Sequence, residues 1–404
     1  MPFVLWYSFQ RAGVFFISRL GTVANPYRAC ICELILTLAG CLCTLLGASC
    51  PLWWDVGAVL VGLGLSCFPA LYRTVRDEIQ RRGTLSFDGS MISGYAFFLA
   101  GIAIVLVPGG GSAVAALAFL TTIVLASLGY VIWLRSKNPY KNVRMFVGDQ
   151  APRESTLFAA SVLALALCVR LFRQTASMWA VALPPAALVL MLVLDAPHRK
   201  VPYRAHSTRT LWYGAVTNFL YVFTLFYLTS VGESDELGIV YFVIGAGAAA
   251  GTLVAPLIKR KITPKHYEVL CIMGAVIVSC GLLVPQLYVA TTALTSMLVT
   301  MGNAESFAIY LDDERIAPEE RRLVRSKFYG IGSIVEQVQM AAAIFVCSVM
   351  IRGDASAAMA GYAIRDTSTL NLPVYRQALA ICVALNALAG ICVARRQHEA
   401  GGRR

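Results

Sequence analysis

The residues best suited to chemistry lie inside long apolar runs of the sequence. Glu336 stands beside Gln337 and Gln339 in the run 328–350, and Arg11 interrupts an apolar run near the start of the chain. A carboxylate in such a place can carry a proton or meet a cationic substrate, and Arg11 is its counter-ion candidate. Two simpler alternatives stay open. Glu336 can be hydrogen-bonded helix packing, and Arg11 can extend along the helix to reach an interface.

A second set of polar side chains lies in the run 209–229, which contains Tyr213, Asn218 and Tyr221. Aromatic rings and an amide suit an apolar or amphipathic ligand, although interfacial belts and helix packing use the same residues. Glu305 lies at a cytoplasmic end of a run and is expected to be solvated, whereas Glu33 and Asp88 lie near inner helix ends and are expected to cap helices or to pair with loop arginines.

Enzyme chemistry has no support in the sequence. The four histidines lie in polar segments, and none forms a metal-binding helix motif or stands in a nucleophile–base pattern. The twelve cysteines lie almost wholly in apolar runs, where small apolar packing is their expected role. We therefore predict no catalytic residues, no metal site and no cofactor.

Composition indicates a membrane protein. Apolar residues make up 58% of the 404 residues and charged residues 14%, and the mean hydropathy is +0.68. The apolar runs have the length that a helix needs to cross about 30 Å of hydrocarbon, and they do not alternate as barrel strands would. The predicted fold class is all-α, a polytopic integral membrane protein with about thirteen transmembrane helices. The predicted spans are 3–19, 29–49, 54–72, 89–107, 113–134, 156–172, 176–194, 209–229, 237–258, 267–283, 286–303, 328–350 and 373–394.

Charge placement orients these helices. With the first residue outside and every span crossing, most of the 34 Lys and Arg fall in inner loops, including 135–153, 259–265 and the tail after 395. This positive-inside pattern predicts a multi-pass protein of the bacterial inner membrane with a cytoplasmic C-terminus and the lipid bilayer as partner. It also accounts for the net charge of +12. A nucleic-acid partner would need a folded module with a basic face and base-reading residues, and we predict no such partner because the sequence shows no such module.

An internal repeat is the most informative pattern. When the first part of the chain is shifted onto the second, helices, loops and landmark residues coincide. Span 113–134 matches 373–394 once the longer outer loop 351–372 is allowed for. Duplicated helical halves with a substrate site between them are a common plan of transporters. The coinciding pairs are Gly13 with Gly251, Pro26 with Pro264, Gly64 with Gly302, Gly94 with Gly332, and Ala70-Leu71-Tyr72 with Ala308-Ile309-Tyr310.

The repeat also predicts the domain organisation. The first half has no counterpart of span 209–229, so we expect its first helix to be missing or displaced. Spans 156–172 and 176–194 have no counterpart and are expected to form an inserted hairpin. The predicted domains are a five-span half at 1–135, a loop, hairpin and linker at 136–208, a six-helix half at 209–396 and a tail at 397–404.

Two loop motifs complete a resemblance to the major facilitator superfamily. Ser18-Arg19-Leu20-Gly21 with Pro26-Tyr27-Arg28 in one half, and Gly251-Thr252-Leu253 with Lys259-Arg260-Lys261 in the other, stand where that family carries a Gly/Asp/Arg-rich loop. Neither copy has the family's Asp. The resemblance implies two facilitator-like halves, an inserted hairpin as in fourteen-helix members, and alternating-access transport of small solutes, often coupled to protons.

Two functions follow from this resemblance. The first is a secondary active transporter for a small, amphipathic or hydrophobic solute, with proton coupling as an option. The alternative is a facilitator-like membrane sensor without transport, of a signalling or LuxR-type regulatory system. The chain ends soon after span 373–394, so the sensor would need its regulatory domain elsewhere, and we place the transporter first by analogy of fold.

Overall fold

The computed structural model describes residues 2–47, 49–85, 100–101, 113–147, 160, 205–230, 236–311, 316, 318–354 and 372–401. These residues are overwhelmingly helical and fall into two compact units. Unit 1 contains the described residues up to 160 together with 310–327, and unit 2 contains 205–309 and 328–401. The two predicted half boundaries, near 135 and 208, stay predictions.

Unit 1 is built on helices that begin at prolines. Because proline needs no hydrogen-bond partner for its nitrogen, it suits the first turn of a helix. The helices are α1 Pro2–Arg19, α2 Pro26–Leu46, α3 Pro51–Gly64, α4 Phe68–Arg81 and α5 Ala113–Trp133, the last continued by a 3-10 turn at Leu134–Lys137. Two short strands, β1 Thr22–Val23 and β2 Phe146–Val147, pair antiparallel with Thr22 opposite Val147.

Unit 2 contains the longer helices of the described chain. The helical segment 205–230 is interrupted by a π-helical turn, and the helix that follows it, Leu237–Lys259, contains an internal proline, Pro256. The elements are α6 Ala205–Asn218, the π-turn Phe219–Phe223, α7 Thr224–Ser230, α8 Leu237–Lys259, α9 Pro264–Ser279, α10 Tyr288–Leu311, α11 Arg321–Arg352 and α12 Leu372–Gly401. Short 3-10 turns at Cys280–Leu283 and Pro285–Leu287 lead from α9 to α10.

Seven helices of the described residues are long and apolar enough to cross a membrane, and each overlaps a predicted span. They are Pro26–Leu46, Pro51–Arg81, Leu117–Lys137, Leu237–Lys259, Pro264–Leu283, Arg321–Arg352 and Leu372–Arg396. The predicted class of polytopic α-helical membrane protein is thereby confirmed. Spans 89–107, 156–172 and 176–194 lie almost wholly outside the described residues, so the count of about thirteen stays a prediction.

One membrane-crossing segment, Pro51–Arg81, overlaps the predicted span 54–72 and contains a short break. Helix α3 ends at Gly64 and α4 starts at Phe68. Pro69 lies in the first turn of α4, and its ring disfavours helical backbone at the residue before it. Helix α4 then continues to Arg81, beyond the end of the predicted span. This continuation is amphipathic, and it buries Leu71, Val75 and Ile79 on one side.

The repeat is visible in how equivalent helices start and touch. Helices α2 and α9 both open on a capping side chain followed by proline: Asn25 accepts a hydrogen bond from the Arg28 amide, and Thr263 accepts one from the His266 amide. Gly64 packs against the backbone of α2 at Glu33, and Gly302 packs against α9 at Cys271. Two of the landmark pairs, Pro26 with Pro264 and Gly64 with Gly302, therefore occupy similar places within their own units.

Candidate functional site

Glu336 lies in the middle of α11 and is 1% exposed. Its carboxylate oxygen Oε1 accepts a hydrogen bond from Asn386 Nδ2 of α12 at 3.0 Å. Gln339, one turn along α11, donates to the same oxygen at 3.4 Å. The carboxyl group is therefore held by two side-chain amides from two helices.

A third helix joins this arrangement through Trp212 of α6. Its indole N–H donates to the backbone oxygen of Asn386 at 2.9 Å. Beside it, the Ser333 hydroxyl of α11 donates to the Gly214 oxygen of α6 at 3.1 Å. We refer to Glu336, Gln339, Asn386 and Trp212 as the Glu336 cluster, and it connects α6, α11 and α12 inside unit 2.

The surroundings of the Glu336 cluster are apolar. Trp212 belongs to a buried core with Val216, Ile272 and Val276. Within the part of the chain that the structure describes, Glu336 forms no ion pair. An ionised carboxylate without a cation is costly in such a place, by several kcal/mol. A group of this kind suits proton exchange or the binding of a cation when its surroundings change.

The predicted site residues on α11 do not all meet. Glu336 and Gln339 lie together, whereas Gln337 is half-buried and forms no hydrogen bond to the cluster among the described residues. Arg11 lies in α1 of unit 1 and is half-buried, and its role as counter-ion to Glu336 stays a prediction. Sequence reasoning missed Asn386, although an amide inside the predicted span 373–394 was a usable signal.

Asn218 ends α6 directly before the π-turn Phe219–Phe223. Its side chain is fully buried, and neither amide atom has a hydrogen-bond partner among the described residues. An unpaired buried amide costs about 1–3 kcal/mol, and π-turns inserted into helices often mark functional sites. Asn218 is therefore the strongest polar feature of this helix.

The two tyrosines predicted beside Asn218 have different surroundings. Tyr213 is fully buried and lies against Gly302, where any side chain would meet its hydroxyl. The Tyr221 ring stacks on Tyr241 with centroids 5.9 Å apart, and the Tyr241 hydroxyl donates to the Tyr221 backbone oxygen at 2.7 Å. In the described arrangement Tyr213 is thus a packing residue, while Tyr221 is half-buried.

Aromatic rings continue from Asn218 toward the next helix. Phe219, Phe223 and Tyr227 follow one another with centroid distances of 5.3 and 6.2 Å, and Tyr227 stacks on Tyr288 of α10 at 5.6 Å. The Tyr288 hydroxyl lies 2.9 Å from the Thr224 hydroxyl. This row offers a flat apolar surface, and the Thr224 and Tyr288 hydroxyls form a polar pair at one end of it.

Charged side chains of unit 2 gather at the ends of helices. Arg209, fully buried, pairs with Glu268, and Lys259 pairs with Glu305. The Lys259 ammonium also lies 5.1 Å from the centroid of the Tyr267 ring. Glu305 was predicted to be solvated at a helix end, and in the structure it is half-buried and paired with Lys259.

Glu33 in unit 1 was predicted to cap a helix or to pair with loop arginines, and the structure favours the first alternative. Its side chain is 5% exposed, and its Oε1 accepts from the Cys67 backbone N–H at 3.2 Å. The other oxygen, Oε2, has no hydrogen-bond partner in the described chain. Cys67 is the residue that precedes α4, so the carboxylate caps the helix that starts after the Leu65–Cys67 break. Asp88, predicted alongside it, lies outside the described residues.

Two connecting segments are anchored within unit 1. Asn25 donates through Nδ2 to the backbone oxygens of Tyr140 and Val143, both at 2.9 Å. Arg322, 8% exposed, pairs with Asp77 of α4. Burial raises the pKa of the Tyr140 phenol, and the nearby Glu319 carboxylate raises it further. Residues that precede and begin α11 thus pack beside the connection after α5.

Comparison with known proteins finds the fold but no sequence relative. No family model matches the sequence, and no curated protein matches it. A mutant form of the nucleoside transporter NupG, in its crystal structure, is 12% identical, with 97% of this chain and 90% of that chain covered and a TM-score of 0.54. Another NupG crystal structure is 11% identical, covers 97% and 89%, and has a TM-score of 0.52. The major facilitator superfamily transporter FucP in its outward conformation is 14% identical over 97% and 88%, with a TM-score of 0.47.

The fold and the buried site together define a class. The chain is a polytopic α-helical membrane protein with a major facilitator-type fold, as the repeat and loop motifs predicted. At 11–12% identity to NupG, this likeness concerns the fold alone. Function has to be argued from the residues of this chain.

Proposed function

We propose that the protein is a secondary active transporter that moves a small, amphipathic or hydrophobic solute by alternating access. The observation that supports this most is the Glu336 cluster, a buried carboxyl held by side-chain amides of two helices, one of which is bonded to a third helix through Trp212. It occurs in a chain that matches a nucleoside transporter structure over 97% of its length. Buried ionisable groups in membrane helices commonly mark solute or proton pathways.

In this proposal Glu336 carries the coupling proton. A proton from one aqueous side binds the carboxylate, and the neutral group is tolerated among the apolar side chains of the cluster. When α11 and α12 separate, the carboxyl loses the Asn386 amide and gains water, and the same proton leaves to the other side. The cluster supports this step because its hydrogen bonds run between helices, so helix movement changes them directly.

Asn218 is the proposed solute contact. Its amide has one acceptor and two donor hydrogens, and the rings of Phe219, Phe223 and Tyr227 extend from it. A solute with a flat apolar part and a polar edge would satisfy both. In the proposed cycle, the amide reaches solute once the π-turn relaxes to regular helix and rotates the side chain. Tyr213 and Tyr221 stay in the proposed set as supports on the same helix.

The proposed setting is a bacterial inner membrane with the C-terminus in the cytoplasm. The supporting observation is the placement of basic residues on one side of the predicted spans. The predicted halves 1–135 and 209–396, joined through 136–208 and followed by 397–404, would be the moving parts of this transporter. Arg11 is retained as a coupling candidate, with the proposed role of counter-ion to Glu336.

The test uses purified protein in proteoliposomes with an imposed pH gradient. Radiolabelled nucleosides are the first solutes tried, because the NupG structures match this fold, followed by hydrophobic cations and amphipathic drugs. We expect Glu336→Gln to abolish gradient-driven movement while solute exchange without a gradient persists, because glutamine keeps the amide contact but cannot release a proton. Glu305→Gln, a carboxyl already paired with Lys259, is the matched control and should keep coupling.

Three results would revise the proposal. Gradient-driven transport unchanged in Glu336→Gln would remove this residue from the mechanism. Loss of exchange in Asn218→Ala with intact folding would support Asn218 as the solute contact, and full exchange would reject it. A solute that raises the unfolding temperature but shows no flux would favour the sensor.

A further inference from the structure

Four aromatic rings form a continuous row on unit 1, which we call the aromatic ladder. Phe68 and Tyr72 of α4 stack at 5.8 Å, Tyr72 meets Tyr130 of α5 at 6.5 Å, and Tyr130 stacks on Trp133 at 5.8 Å. The last two rings of the ladder lie at the surface, since Tyr130 is 39% exposed and Trp133 is 62% exposed. Two large rings stacked on each other at the surface keep a flat, amphipathic face outward.

Basic side chains follow the ladder immediately. Arg135 and Lys137 lie in the 3-10 turn that continues α5, and both are exposed. Neither forms an ion pair within the described residues. The turn therefore places two positive charges directly beyond Trp133, where α5 leaves the predicted membrane span.

The acidic residues nearby on α4 are already occupied. Asp77 pairs with Arg322, and Glu78 pairs with Arg81 and Arg82. Arg135 and Lys137 are therefore available to interact with negatively charged groups outside the described residues. A negatively charged partner is favoured at this end of α5.

The second repeat separates this arrangement from ordinary membrane topology. Helix α12 is the counterpart of α5, and Arg395 takes the place of Arg135. The positive-inside pattern accounts for both arginines. However, Gly390 and Val393 stand where α5 has Tyr130 and Trp133, and both are buried. At the two equivalent helix ends, α5 of the first repeat therefore combines exposed stacked aromatic rings with basic side chains, whereas α12 has the basic side chain without the rings.

We propose that the aromatic ladder together with Arg135 and Lys137 binds the headgroup of an anionic phospholipid. The guanidinium and ammonium groups contact the phosphate, and the Trp133 and Tyr130 rings lie at the level where acyl chains meet headgroups. Basic positions between membrane helices are suited to anionic lipids. The inference requires only that the chain spans a membrane, so it stands independently of transport.

The test measures lipid binding to the full chain in detergent by native mass spectrometry. The probes are phosphatidylglycerol, phosphatidylcholine of the same acyl chains, and inorganic phosphate. We expect phosphatidylglycerol to bind more tightly than phosphatidylcholine, and Arg135→Gln to weaken it about fivefold, from the contribution of one basic residue near the surface. The double variant Trp133→Leu/Arg135→Gln should weaken it further.

The control variant makes the same two kinds of substitution at other positions of the chain. Trp53→Leu/Arg395→Gln removes a tryptophan that is 41% exposed on α3 and the equivalent arginine of the second repeat, and it should retain phosphatidylglycerol binding. Equal weakening in both double variants, or equal binding of both lipids, would overturn the proposal. Phosphate that competes fully with the lipid would show an ion site instead. If Trp133→Leu/Arg135→Gln unfolds, Trp133→Phe/Arg135→Gln gives the same comparison with an aromatic ring retained.

Discussion

Helices α2 and α9 hold the same place in the two repeats, and they differ at one buried position. Both start with a capping side chain and a proline, and both touch a glycine of a neighbouring helix. Facing those glycines, α2 presents Glu33 and α9 presents Cys271. The first is a carboxylate that caps α4 through Cys67, and the second is a fully buried thiol.

This difference shows which features a duplicated helical half has to keep. Close helix contact needs a residue without a side chain at Gly64 and Gly302, and the helix start needs a cap. A buried polar side chain, by contrast, is needed only where the local backbone leaves a hydrogen-bonding group without a partner. Unit 1 breaks its helix at Leu65–Cys67 and therefore frees a backbone N–H that Glu33 satisfies, whereas α10 runs unbroken past Gly302 and leaves no such donor.

The largest expected effect comes from moving the carboxyl group to the second repeat. We expect Cys271→Glu to lower the free energy of unfolding by about 3–5 kcal/mol, the range found for a buried charge without its partner. The position is fully buried. Lys259 acts on it with opposite charge but is already paired with Glu305, and Glu305 and Glu268 act on it with like charge. Unfolding in mixed detergent micelles measures the effect.

Cys271→Ser is the control for that substitution, since it adds polarity without charge or much volume. Glu33→Gln in the first repeat should cost far less than Cys271→Glu, because the amide oxygen can still accept from the Cys67 N–H. Equal losses in Cys271→Glu and Glu33→Gln would contradict the idea that the helix break creates the demand for an acceptor.

The fold was largely predictable, for a physical reason. Backbone groups must be satisfied inside hydrocarbon, so long apolar runs become helices, and this holds for the seven spans that the described structure confirms. Hydropathy failed where a helix left the apolar run. Helix α4 continues to Arg81 because Leu71, Val75 and Ile79 face the interior, and only a search for helical periodicity beyond the run would have found it.

The next effect concerns the two close-packed glycines. We expect Gly64→Ala and Gly302→Ala each to destabilise the protein by about 1–3 kcal/mol, the usual cost of overpacking. A methyl group at Gly64 would overlap Thr37 and the Glu33 backbone, and one at Gly302 would overlap Tyr213 and Cys271. Gly129→Ala is the matched control, because a methyl group there meets nothing within 4 Å, so the substitution should not lower the unfolding temperature.

The two glycine variants also sharpen the comparison of the repeats. Gly64→Ala meets backbone, which cannot move away, while Gly302→Ala meets mainly the tip of the Tyr213 side chain. We therefore expect Gly64→Ala to cost more. The reverse order would mean that Tyr213 is held rigidly by its own neighbours.

The candidate site was only partly predictable. Glu336 stands out in the sequence because a carboxylate in an apolar run is costly. Its partners do not, since Asn386 is 50 positions away and Trp212 reaches Asn386 across 174 positions. Those contacts depend on which faces of α6, α11 and α12 meet. Periodicity alone does not specify that pairing, and a single Asn inside an apolar span has several ordinary roles.

The smallest expected effect lies at the helix starts, where the repeats look most alike. We expect Thr263→Ala to cost about 1 kcal/mol, the usual value of one capping bond, and Asn25→Ala to cost about 2 kcal/mol. Asn25 also donates to the Tyr140 and Val143 oxygens, so it ties the connection after α5 to the start of α2. Among the described residues, the Thr263 side chain forms hydrogen bonds with His266 alone. Asn25→Asp keeps the cap but loses both amide donors, so it should fall between wild type and Asn25→Ala in unfolding temperature. Equal stability of Asn25→Asp and wild type would show that the cap alone matters, and the difference between the two helix starts would then disappear.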